Sequence, residues 1–83
     1  MRYFFYGEEC PHCHNMMPLI DELIAQGVAL EKRETWHNRE NADIYTQKEK
    51  GICGGVPFLL NDETNESICG EVSAEELKRW AGV

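Results

Sequence analysis

The chain has 83 residues, 42% of them hydrophobic and 28% charged, the composition of one small globular domain (1–83) whose core barely outweighs chain entropy. No apolar run approaches the length of a membrane span, and a net charge of −7 opposes binding to phosphate backbones or anionic membranes. The acidic balance reads as a solvated surface.

The chain opens on one Arg and then strand residues, not on a basic, apolar and small-residue leader, so a cytoplasmic protein is expected. Thiols are kept reduced there, and a close cysteine pair reads as catalytic or metal-binding. Met1 to Tyr6, with its run Tyr3-Phe4-Phe5-Tyr6, is predicted as a buried strand. Cys10-Pro11-His12-Cys13 follows and opens a helix from Pro11 to Gln26. Pro11 suits the first helical position, where the missing N–H has no intrahelical partner. Met16, Met17, Ile20, Leu23 and Ile24 form the apolar side of that helix, Pro18 is expected to kink it, and Gly27 to end it.

Val28 to Thr35 is predicted as a second strand, parallel to the first because a helical crossover joins them. Its charged half, Glu31-Lys32-Arg33-Glu34, suits a sheet edge. Trp36-His37 then falls at the sheet end that carries the cysteines, with Trp36 read as packing against the next helix. That helix runs from Arg39 to Lys50, capped by Asn38 and closed by Gly51. Pro57 to Leu60 and Ser67 to Cys69 read as a hairpin turning through Asn61 to Asn65. Ser73 and Glu76 form a capping box, Val72 and Leu77 a hydrophobic staple, and Gly82 ends a last helix that Trp80 anchors to the sheet.

The two thiols lie one turn apart at a helix N-terminus, where the partial positive charge stabilises a thiolate. Cys10, at the helix start, is expected to be the more exposed and more acidic attacking thiol, and Cys13 the buried resolving thiol. His12, when protonated, favours the Cys10 thiolate, whereas Glu8 and Glu9 push the other way.

The order strand-helix-strand-helix-strand-strand-helix resembles the thioredoxin fold in its shortest form, as in glutaredoxins, along the whole chain. The resemblance rests on Cys10-Pro11-His12-Cys13 after the first strand, Pro18 within the first helix, Val56-Pro57 before the third strand and Gly70 before the last helix. It implies an α/β fold, a four-stranded mixed sheet flanked by three helices, and a thiol–disulfide oxidoreductase acting in cell redox homeostasis. It also implies a cis bond at Pro57, leaving the Val56 backbone to pair with an extended substrate, and Gly70 as a further substrate-binding position. The implied partners are a disulfide-containing protein and a reductase or low-molecular-weight thiol donor, met by a monomer with no tightly bound cofactor.

The chain departs from glutaredoxins at Tyr6-Gly7-Glu8-Glu9, where they carry a Lys, at His12, where they carry a Tyr, and at Gly55 and Cys69. Glutathione is the co-substrate the resemblance implies, yet Glu8 and Glu9 disfavour an anion at the mouth. The Cys-Pro-His-Cys motif itself resembles that of DsbA-type oxidants. The expected potential lies between about −270 mV for thioredoxin and about −120 mV for DsbA.

The competing class of function is a metal- or cofactor-binding protein. Cys10 to His14 matches the Cys-x-x-Cys-His haem motif, although Met16 and Met17 read as core and His14 as a surface residue. Zinc held by Cys10, Cys13, Cys53 and Cys69 has weak spacing, and an iron–sulfur cluster bridging two chains is known among glutaredoxins. Cys53 and Cys69 form a possible second redox pair, brought together if the hairpin returns the end of the fourth strand beside the loop before Pro57. Closing that loop would restrict the unfolded chain by about 3 kcal/mol.

Overall fold

A computed structural model describes residues 1–83. In chain order the elements are β1 (Arg2–Tyr6), α1 (Pro11–Ala25), β2 (Leu30–Glu34), α2 (Arg39–Glu49), β3 (Phe58–Asn61), β4 (Glu66–Cys69) and α3 (Ala74–Ala81). The sheet order is β2-β1-β3-β4, with β1 parallel to β2 and antiparallel to β3, and β3 antiparallel to β4. This is an α/β fold with a mixed sheet and three helices.

Alternation along β1 divides the core. Phe4 points to the face covered by α1 and α3, where it joins Cys13, Met16, Ile20, Leu59, Leu77 and Trp80. Phe5 points to the other face with Phe58 and Leu60, against Ile44 and Tyr45 of α2. Central strands buried on both faces explain why β1 and β3 read as unbroken apolar runs. The charged strand β2 lies at an edge, its Lys32 2.7 Å from Asp21 and its Arg33 2.6 Å from Glu31.

Several boundary differences from the sequence reading have a local cause. Gln26 caps α1, Gly27 takes φ 97°, and the Val28 amide donates back to the Leu23 carbonyl at 3.0 Å. This Schellman closure commits Val28 to the helix end, so β2 starts at Leu30 rather than Val28. Lys50, not Gly51 alone, turns left-handed to close α2, at φ 56°. Pro57 has no N–H for the ladder, and β3 therefore begins at Phe58. At α3 the Ser73 side chain accepts from the Glu76 amide, and Trp80 anchors the helix by donating from Nε1 to the Glu66 carbonyl at 3.1 Å.

Candidate active site

The β1–α1 turn delivers the first cysteine. The Cys10 amide donates to the Gly7 carbonyl at 3.0 Å, and Cys10 becomes the N-cap of α1, with Pro11 in the first helical position. Its Sγ accepts the Cys13 amide at 3.2 Å, so the sulfur occupies the place of a capping oxygen. A thiolate there gains both that hydrogen bond and the helix-end charge. Cys10 and Cys13 are joined as a disulfide, with Cα atoms 5.2 Å apart. Exposure follows the expected ranking but is small for both, 4% at Cys10 and 0% at Cys13. In the disulfide form, therefore, only a sliver of Cys10 faces solvent.

Opposite the sulfurs stands the segment before β3. Val56-Pro57 is cis, and the Val56 carbonyl lies 3.9 Å from Cys10 Sγ. The Val56 backbone takes part in no hydrogen-bond ladder. An open groove of about 660 Å³ runs beside it, lined by His12, Val56, Pro57, Gly70 and Glu71. The structure thus brings five of the sequence-derived positions, Cys10, His12, Val56, Pro57 and Gly70, to one end of the sheet.

Three carboxylates that the sequence reading did not single out organise this end. Glu49, 6% exposed at the end of α2, accepts the amides of Gly51, Cys53 and Gly54 at 2.7, 2.5 and 2.6 Å. The Gly54 and Cys53 bonds hold its carboxyl below the ordinary 4.5 against the opposing effect of burial. Its signal was a Glu just ahead of the glycine-rich stretch Gly51-Ile52-Cys53-Gly54-Gly55, which is rich in free amides. Glu34 accepts the amides of Glu8, Trp36 and His37, joining the loops after β1 and β2. Burial pushes its carboxyl up, but those bonds outweigh it and the net shift is downward. Glu71 binds His12 Nδ1 at 2.8 Å and Asn15 Nδ2 at 3.2 Å, and the His12 bond chiefly lowers its pKa.

The Glu49 clamp has a pH signature. A carboxyl lowered on folding adds stability that is fully present above 4.5 and is lost as pH falls through its folded value. Glu34, Asp62 and Glu71 are lowered too, so the difference between wild type and Glu49→Gln isolates the clamp. Glu49→Gln is expected to be less stable at neutral pH and to lose less stability between about pH 5 and 3, a span that starts just above the free value of 4.5 and runs down through the lowered one. Parallel urea-denaturation profiles of the two proteins across that range would refute the clamp.

Trp36 is 52% exposed, and its ring lies over Gly7, where a Cβ would collide with it. The glycine is required there by contact, not by backbone conformation. His14 turns its Nε2 to the Glu8 carbonyl. His37 pairs with Glu9 at 2.7 Å, and that bond raises the His37 pKa, which offsets part of the acidity of the mouth. The four cysteines do not converge as a zinc site requires: Cys53 pairs with Cys69 at a Cα separation of 5.5 Å, and the sole cluster of three potential ligands is the exposed Glu8, Glu9 and His37. No helix is long and apolar enough to cross a membrane.

A mixed four-stranded sheet, a Cys-x-x-Cys pair at the start of α1 and a cis-proline facing it define a thioredoxin-like fold. The solved structure of a point mutant of the thioredoxin-like protein BC3987 is similar to this chain, with a TM-score of 0.66 and 16% identity over 95% of this chain and 96% of that one. No family model and no curated protein matches the sequence.

Proposed function

We propose that the protein is a glutaredoxin-like thiol–disulfide oxidoreductase in which Cys10 attacks and Cys13 resolves. The observation that carries this is Cys10 Sγ at the helix cap, bonded by the Cys13 amide and facing the unpaired Val56 backbone. An extended substrate segment pairs with Val56, which places its disulfide at Cys10. The Cys10 thiolate attacks one substrate sulfur; the substrate S–S bond breaks, a Cys10–substrate bond forms, and the second substrate sulfur leaves as thiolate. Cys13 then attacks Cys10 Sγ, forms the Cys10–Cys13 bond and releases the first substrate sulfur. The substrate gains two electrons and the protein loses them. A cytoplasmic setting, with a reductase or small thiol restoring the dithiol, completes the reading.

Mixing reduced protein with an excess of a small symmetrical disulfide tests it. A transient adduct on Cys10, followed by the Cys10–Cys13 disulfide, is expected by mass spectrometry of quenched samples. Adducts spread evenly over all four cysteines would refute the mechanism.

Glu71 adds a prediction about the potential, because its carboxylate lies 2.8 Å from His12 Nδ1 and opposes any positive charge on that ring. Glu71→Gln exposes the His12 charge to Cys10, stabilises the thiolate and makes the couple more oxidising; His12→Tyr makes it more reducing. The pair is solvent-exposed, so shifts on the order of 10 mV are expected. Equal potentials in wild type and both variants would remove His12 from the chemistry.

A further inference from the structure

Cys53 and Cys69 take no part in the chemistry above, yet they tie together the two segments that wall the groove. Cys53 stands ahead of Val56-Pro57 in the loop after α2, and Cys69 ends the edge strand β4 just before Gly70 and Glu71. The two residues differ in exposure: Cys53 is half-buried beside Phe5 and Phe58, whereas Cys69 is exposed. Three glycines, Gly51, Gly54 and Gly55, leave the loop little stiffness of its own, so its shape depends on its ties.

We propose that Cys53–Cys69 is a second redox site, opened by small thiols or dithiols at Cys69, and that its oxidation state sets how firmly the groove holds an extended peptide disulfide. A small thiolate attacks Cys69 Sγ; the Cys53–Cys69 bond breaks, a mixed disulfide forms on Cys69, and Cys53 leaves as thiolate. A second thiol attacks the small-molecule sulfur of that mixed disulfide and releases Cys69. The protein gains two electrons, and the small thiol is oxidised to its disulfide.

The fold outlasts this reduction because three other ties remain. Glu49 keeps its amide bonds, the Tyr45 hydroxyl donates to the Gly55 carbonyl at 2.7 Å, and the Gly70 amide donates to the Pro57 carbonyl at 2.8 Å. The open form thus keeps its sheet while the loop before Val56 gains freedom, which the binding of an extended substrate must remove again. The groove half of this proposal rests on Cys10 as the attacking thiol; the redox half does not.

The first experiment uses a Cys10→Ser/Cys13→Ser protein, which retains only the second pair. Equilibrated with graded ratios of reduced and oxidised dithiothreitol, quenched by alkylation and mass-mapped, Cys53–Cys69 is expected to titrate reversibly as a two-electron couple with unchanged far-UV circular dichroism. A bond that opens only when the protein unfolds overturns the proposal. The second experiment compares wild type with Cys53→Ser/Cys69→Ser. KM for a peptide disulfide is expected to rise about tenfold, the effect of ordering roughly one further residue on binding, while kcat and the rate with a small disulfide hold. An unchanged KM overturns the groove half. A serine pair that cannot fold marks the bond as a structural staple and overturns the proposal too. Wild type inert toward both substrates refutes the Cys10 reading and the groove half with it, and the first experiment still decides the redox half.

Discussion

Cys10→Ser is expected to abolish disulfide exchange, and Cys13→Ser is expected to leave a protein that attacks substrate once and remains attached to it. The asymmetry follows from position. Cys10 is the N-cap and the one residue of the pair with any exposure, whereas Cys13 is 0% exposed and is bonded to Cys10. Removing Cys10 removes the proposed nucleophile, and a rate at or near that of uncatalysed thiol exchange is expected. Without Cys13, the Cys10–substrate bond has no internal partner to displace it, and the mixed disulfide accumulates until an external thiol arrives. Denaturing, non-reducing electrophoresis with mass mapping checks both outcomes. Mixed disulfides trapped by the Cys10 variant and absent from the Cys13 variant would reverse the roles.

The second large effect is on stability. Phe4→Ala is expected to cost about 3–5 kcal/mol, the usual loss for truncating a fully buried aromatic ring. Phe4 is 0% exposed in the central strand, pairs across the sheet with Leu59, and shares its core with Cys13 and Met16. A chain of this size has about 4–12 kcal/mol in total, so the substitution removes a large part of the margin. The corresponding fall in Tm is about 12 °C or more. Phe4→Leu, which leaves a smaller cavity, should recover part of the loss. Urea denaturation showing less than about 1 kcal/mol for Phe4→Ala would mean that the space between α1 and the sheet collapses freely.

What could be read from the sequence was local or periodic. The aromatic run before Cys10, the proline after it and the Ser73 cap each announce their conformation within a few residues, and they place the dithiol at a helix start. The parallel pairing of β1 and β2 followed from the helix between them. What was missed depends on partners distant in the chain. Glu71 meets His12 across 59 residues, and nothing near either residue announces the other. Glu34 looked like one more edge charge, because the amides it collects belong to two loops that meet only after β1 and β2 pair. Trp36 was read as packing against the second helix, yet the space its ring fills over the β1–α1 turn exists only because Gly7 has no side chain.

That last contact gives the molecule two optical reporters with separate duties. Trp36 is half in water and rests on the turn that leads into Cys10, whereas Trp80 is 7% exposed between α3 and the sheet. An indole in water emits at longer wavelength than one in an apolar core, so the red part of the emission belongs to the active-site turn and the blue part to the packed fold. Opening the Cys10–Cys13 bond is expected to change the red component more than the blue, although Trp80 shares its core cluster with Cys13, and loss of the core is expected to shift the blue one. Redox state and folding can be followed in one cuvette, without a label, at two wavelengths.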